Sequence, residues 1–229
     1  MVSEAGLSKV SSRVTVQDGV YEQLRHALMW GTFEPSQVVT ISSLAAEFGT
    51  SHMPVREALR RLAAENGVEI ARNGSARVPA ISRKRLDDLC RIRIALEGLA
   101  TELATPNMSA ADIDRCLKLA QEHEELGRTG QVYAMLRKNQ EFHFAIYEIS
   151  GSEALPQFIA TLWLRFGPYM RLLSDLVKQQ LGAGVIHPYS TYHYEMIEAF
   201  RANDAARAGK LMVHDIAATQ KLLQDMCTE

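Results

Sequence analysis

The stretch SHMPVREALRRL, residues 51–62, places a proline in the opening turn of an arginine-rich helix. Proline is tolerated there because a first-turn N–H has no acceptor within the helix. Ser51 stands at the capping position, and Val55, Ala58, Leu59 and Leu62 recur at helical spacing as an inward stripe. With that face buried, His52, Arg56 and Arg60 line up outward at four-residue steps. A helix of this width fits a DNA major groove. Arginine can hold a guanine edge with two hydrogen bonds or grip a phosphate, and the helix N-terminus adds backbone donors. The same pattern also fits a solvated face with a Glu57–Arg61 surface pair. The flanking segments decide between them.

Upstream, Thr15 can cap a helix with Asp18 at its third position, and Val16, Val20, Leu24 and Leu28 follow as a four-residue stripe. Gly31 and Pro35 end that helix. The β-rich run Val38-Val39-Thr40-Ile41 then leads to Ser42-Ser43, a cap for a short helix over 44–48 that Gly49 closes. Downstream, Val68-Glu69-Ile70 and Ala76-Arg77-Val78 flank Asn73-Gly74, the signature of a hairpin. Helix, short helix, tight turn, helix and hairpin is the order of a winged helix-turn-helix. A groove-reading helix requires such support, so the DNA reading of 51–62 prevails.

Beyond Pro79 the chain is helix-like throughout, over about 82–104, 109–127, 131–150, 153–177, 188–202 and 204–226, with Pro106, Gly130, Gly151 and 182–184 as separators. The expected fold is mainly α. Residues 1–80 form a winged helix-turn-helix DNA-binding domain that starts with a short tail, and residues 81–229 form an antiparallel α-helical bundle. With 229 residues, 47% of them hydrophobic, the chain can bury the core of one large or two modest domains. A net charge of −2 excludes coating nucleic acid by bulk charge but allows a local basic patch. Cys90, Cys116 and Cys227 share no CxxC spacing and are expected to be reduced thiols. MVSEAGLSKVSS lacks the apolar core of a signal peptide, and no apolar run reaches the roughly 20 residues of a membrane helix. A cytoplasmic protein without a membrane partner is expected.

In the second domain, NQEFHFAI (139–146) puts Asn139 and His143 one turn apart on a helix face. His193 and His214 lie on the last two helices, nearly equidistant from the turn Ala202-Asn203-Asp204, so an antiparallel hairpin can bring them together. Three imidazoles with an oxygen donor suit a divalent transition metal such as Zn²⁺ or Ni²⁺. Three unrelated histidines, each satisfied by a hydrogen bond, remain the alternative. His26, His123 and His187 are assigned to the surface, and Trp163, Phe166 and Tyr169 to the core.

The stretch VYEQLRHALMWGTFEP…ISSLAAEFGTSHMPVREALRRLAAENGVEIARNGSARV resembles the winged helix-turn-helix of GntR-family transcription regulators, with PVREALRRL its most specific part. The helical remainder resembles the FCD domain of the FadR-like branch, so the likeness runs from about Val20 to Met226. It implies a metabolite-responsive DNA-binding transcription regulator, not an enzyme: a repressor released by a small organic carboxylate effector, acting as a homodimer on a double-stranded DNA operator. Carried over by position, DNA contacts fall on Ser42, Ser51, His52, Met53, Arg56 and the wing glycine Gly74. Metal ligands fall on Asn139, His143, His193 and His214, and effector contacts on Arg93, Arg165 and Arg171.

The chain departs from the family pattern at His52, where arginine is usual, at Met53 in place of threonine, at Ser36 in place of glycine, and at Glu69 within an apolar run. Asn139 stands where aspartate is common. Its neutral amide would leave a metal site more positive and favour an anionic effector. A metal-dependent hydrolase using the three-histidine site is the competing reading. Glu141, its nearest carboxylate in sequence, points away from the His143 face, and the winged domain would serve no purpose. A helical interaction module with a vestigial pocket is the third.

Overall fold

A computed structural model describes residues 15–72, 74–183 and 190–227. Helix α1 (Val16–Met29) begins at a capping box in which Thr15 and Asp18 bond reciprocally. Val20, Leu24 and Leu28 form its buried stripe, whereas Val16 is 64% exposed. Helix α2 (Ile41–Glu47) starts ahead of the expected position because Thr40, not the serine pair, accepts from the Ser43 N–H. Helix α3 (His52–Ala64) starts after extended Ser51, whose side chain makes no capping bond, and buries Val55, Ala58, Leu59 and Leu62.

The wing strands β2 (Glu69–Ile70) and β3 (Ala76–Arg77) pair antiparallel, as their sequence suggested. A third strand, β1 (Val38–Val39), pairs with the other side of β3, so the sheet order is β1-β3-β2. Asn73 lies outside the described residues, and Gly74 adopts φ +80°. Ser36, where the family favours glycine, is held at φ +66°.

The second domain consists of α4 (Arg83–Ala104), α5 (Ala110–Arg128), α6 (Val132–Ile149), α7 (Leu155–Gly182), α8 (Thr191–Arg201) and α9 (Ala205–Gln224). Each expected helical segment is present. Helix α7 runs past the expected end and carries Pro168 in its interior. Helix α4 packs along α9, α5 against α6 and α8 against α9, and α4 also reaches α6 and α7. No described helix is long and apolar enough to cross a membrane.

The link near Pro79–Ser82 is short, and the two parts are docked closely. Helix α1 lies against α7, and the buried apolar residues of both form one cluster. A Cβ at Gly167 of α7 would lie 2.1 Å from the Leu28 carbonyl oxygen, so only glycine permits this approach. Tyr169 donates to the Ser82 carbonyl at 2.9 Å and accepts from its N–H at 3.1 Å. The Trp30 indole N–H donates to Gln140 Oε1 at 2.6 Å.

These contacts separate two glycine substitutions. Gly167→Ala is expected to lower Tm, because backbone must move aside. Gly19→Ala, in helix α1 with nothing within 4 Å of the added carbon, is expected to raise stability by about 0.5–1 kcal/mol. Thermal unfolding of both variants checks the seam; an unchanged Tm for Gly167→Ala contradicts it.

Candidate functional site

Ser42, Ser51, His52, Met53 and Arg56 are all exposed at the N-terminal ends of α2 and α3. Gly74 stands across from them on the wing. A groove of about 440 Å³ between α3 and the wing is lined by Ile41, Arg56, Leu59, Arg60, Ile70, Arg72 and Gly74. Arg56 has no ion-pair partner among the described residues. Arg60 lies 3.4 Å from Glu57, in an exposed pair of little energetic weight. The surface pair expected between Glu57 and Arg61 does not form; Arg61 reaches Asp18 at 2.9 Å and lies over the Tyr21 ring. The groove is therefore cationic within a chain of net negative charge. Arg72, not among the residues expected from the sequence, extends it onto the wing.

The second constellation has two buried histidines and a partly buried aspartate. His143 on α6, His193 on α8 and Asp215 on α9 each offer a ligand atom within 4.8 Å of the others. His214 is not in this group. It is exposed, beside Tyr192 at a ring distance of 6.2 Å, and it lines a surface groove between α4 and α9. Successive helix residues point about 100° apart, so a one-residue shift in register decides which side chain turns inward. The residue across the turn from His193 is Asp215, equidistant from Asp204 itself. Periodicity carried that signal: Asp215 falls on the stripe of Ala208, Leu211 and Met212, while His214 falls off it. Asn139 is half-buried, one turn before His143 on α6.

A chain of hydrogen bonds orients His143. Arg93 and Glu97 on α4 form a buried forked pair, with Nε–Oε1 2.6 Å and Nη2–Oε2 3.4 Å. Tyr147 donates its hydroxyl proton to Glu97 Oε2, and burial followed by the Glu97 charge pushes its pKa well up, so it stays a phenol. With that proton committed, the Tyr147 oxygen accepts from His143 Nδ1, 2.9 Å away. The neutral His143 tautomer therefore carries a lone pair on Nε2. That atom lies 3.2 Å from Asp215 Oδ2 and has no hydrogen-bond partner among the described residues. Two facing lone pairs at this distance repel unless a proton or a metal ion lies between them.

His193 has no exposed surface, and neither of its ring nitrogens has a hydrogen-bond partner among the described residues. Burial pushes its pKa down to about 3, which keeps the imidazole in its neutral, metal-binding form. Nε2 lies 3.9 Å from Asp215 Oδ1, and Phe142 stacks on the ring at 4.2 Å. Buried polar atoms without partners call for an unseen one, and two imidazoles with a carboxylate are a set that fits a transition metal. His123, expected at the surface, is buried beside His193 with ring centres 5.1 Å apart, and its Nδ1 lies 2.8 Å from Ser190 Oγ. His26 is exposed and stacks on Trp30, and His187 lies outside the described residues.

The three arginines expected to meet an effector each have partners within the chain. Arg93 is matched by Glu97 and lies over the Trp163 and Phe166 rings at 4.6 and 4.4 Å. Burial alone would lower its pKa, but the Glu97 charge and hydrogen bond outweigh it and raise the pKa. Arg165 donates to the Glu65 carbonyl at 3.0 Å, joining α7 to the end of α3. Arg171 bonds Glu34, Tyr133 and Asp175. Arg165 and Arg171 therefore clasp the winged domain, because α7 turns that face toward it.

Residues 16–78 match the model of bacterial regulatory proteins of the gntR family, and residues 88–218 match that of the FCD domain. The HTH-type transcriptional regulator McbR of Escherichia coli K12 is 30% identical over 81% of this chain and 82% of its own length. The HTH-type transcriptional repressor GlaR of the same organism is 27% identical over 92% and 96%. A gluconate operon transcriptional repressor from Bacillus subtilis is 35% identical over 42% of this chain and 37% of its own. The solved structure of E. coli McbR/YncC superposes with a TM-score of 0.86 at 25% identity, covering 93% of this chain and 99% of that one. With a winged helix-turn-helix ahead of an FCD helical domain, this chain belongs to the GntR family of transcriptional regulators.

Proposed function

We propose that the protein is a DNA-binding repressor whose helical domain holds one divalent transition metal and answers to a small organic carboxylate. The observation that carries the metal reading is the trio His143, His193 and Asp215, whose ligand atoms converge while His143 Nε2 and both ring nitrogens of His193 lack hydrogen-bond partners among the described residues. Asn139, a turn before His143, is the fourth donor in this reading, and Zn²⁺ or Ni²⁺ suits the donor set. Asp215 brings one negative charge where a third histidine would bring none, and Glu97 cancels Arg93. The field at the site is therefore less positive than three neutral histidines would leave it. Attraction for a carboxylate then rests on the metal ion itself. Gluconate, the compound for which the Bacillus subtilis repressor's operon is named, is a sugar acid of this class. A regulator, not a hydrolase, is the reading that uses both domains.

A homodimer belongs to this reading, because a two-fold protein suits a two-fold operator and α4 carries an exposed apolar stripe. Ile92, Leu99 and Leu103 are 41, 45 and 41% exposed there. Sedimentation is expected to give roughly twice the 25.5 kDa chain mass. Leu99→Glu is expected to shift it toward the monomer; a monomer in the parent protein contradicts the reading.

Arg56→Ala is expected to weaken binding to an operator selected from random duplexes by a factor of about 5–150, the equivalent of about 1–3 kcal/mol. A mobility-shift titration with unchanged affinity overturns the role of α3. For the metal, elemental analysis of tag-free protein is expected to show loss in His143→Ala, His193→Ala and Asp215→Ala but full content in His214→Ala. Content should also fall on strong acidification, toward the pH of about 3 at which the buried His193 takes up a proton, because protonated imidazole cannot ligate. Parent-level metal in Asp215→Ala would remove that residue from the ligand set.

A further inference from the structure

A cleft of about 320 Å³ opens at the seam between the domains, away from the histidine cluster and the DNA-facing groove. One wall is α1, with Arg25, His26, Met29 and Trp30, and the other is α6, with Arg137, Gln140, Glu141 and Phe144. Its volume lies at the lower end of small-molecule sites, about 300–1,000 Å³. The lining is built around flat rings. Trp30 is fixed by its bond to Gln140, His26 stacks on it at 5.3 Å with planes 12° apart, and the Arg137 guanidinium lies 4.4 Å from its centre. Phe144 and Met29 add apolar surface.

The lining of the cleft carries two arginines against one glutamate. Arg137 is exposed and has no ion-pair partner among the described residues. The Arg25 side chain is only 16% exposed, and its Nε lies 3.5 Å from Glu65, a carboxylate that also accepts from Tyr21. Glu141, the acidic lining residue, is bonded by Lys138 at 2.7 Å, and Lys138 also pairs with Glu122 at 2.9 Å. Two guanidinium groups thus flank an aromatic and apolar floor, each able to bind a carboxylate through two parallel N–H donors.

We propose that this cleft is a second ligand site, which takes a single-ring aromatic carboxylate with its ring against Phe144, Met29 and the edge of Trp30 and its carboxylate between Arg25 and Arg137. The position gives such a ligand a grip on both domains. Helix α1 packs on α3, and Glu65, the partner of Arg25, caps the C-terminal end of α3. A ligand that draws Arg25 toward the cleft loosens that pair. On the other wall, α6 carries His143 one turn from Gln140. The cleft therefore adjoins both the DNA-reading helix and the metal-site helix without sharing a residue with the histidine cluster.

Benzoate and salicylate serve as probes, with benzamide and acetate as the neutral and ringless controls. Calorimetry and Trp fluorescence on the full-length protein are expected to show saturable binding of both aromatic acids, one per chain. Arg137→Gln, at an exposed position, is expected to weaken benzoate by about tenfold, the equivalent of about 1.4 kcal/mol. Arg25→Gln is expected to weaken it further where the variant folds. Trp30→Phe should remove most of the fluorescence response, and His143→Ala should leave affinity unchanged, which separates this site from the metal site. No saturable binding of either acid overturns the proposal. So does benzamide binding as tightly as benzoate, or affinity lost in His143→Ala but kept in Arg137→Gln.

Discussion

Glu97 has no exposed surface, and a carboxylate in that position is tolerated only where positive charge and hydrogen-bond donors meet it. Arg93, one turn back on α4, supplies the charge, and its guanidinium is packed over Trp163 and Phe166 of α7. Tyr147 of α6 supplies a further donor, and its own oxygen then accepts from His143. This single buried charge therefore ties α4, α6 and α7 together and sets which nitrogen of His143 faces Asp215 on α9. Removing any link would leave a buried charge or donor unmatched. The network consequently specifies the arrangement of the histidine site as well as holding it.

Helix α7 also determines how the two domains sit. Its Gly167 lets the end of α1 approach to backbone contact, Tyr169 binds the linker at Ser82, and Arg165 and Arg171 reach the winged domain. Trp163 and Phe166 on the same helix wall the Arg93–Glu97 pair. A displacement of α7 would be felt both at the histidine cluster and at the C-terminal end of α3. Helix α6 adds a parallel connection, because Gln140 bonds Trp30 one turn from His143. The closeness of this docking means that occupancy of the helical domain and posture of the winged domain share structural elements.

Local pattern carried the elements well. The proline in the first turn of α3, the capping box at Thr15, the pairing of wing strands β2 and β3 and the six C-terminal helices all follow from short-range chemistry and apolar spacing. The errors arose where a decision depended on a partner distant in sequence. The start of α2 is the exception, a local choice: Thr40 caps the helix in place of the serine pair because its side chain reaches the Ser43 N–H. Pairing of β1 with β3 joins segments that local pattern cannot connect.

The same division holds at the site. Sequence alone determined a winged helix-turn-helix with an outward arginine face and a helical domain with His143 and His193 on separate helices. Only the tertiary structure decided that Asp215, not His214, completes the trio: apolar spacing puts Asp215 on the buried stripe of α9, but which side chains of α6 and α8 it meets there is set by how the helices pack. It also decided the fate of the arginines. A guanidinium can meet a ligand, a buried carboxylate or a neighbouring domain with equal chemistry, and its partner is set by which helix lies opposite. Arg93 found Glu97, Arg165 found the end of α3, and Arg171 found Glu34.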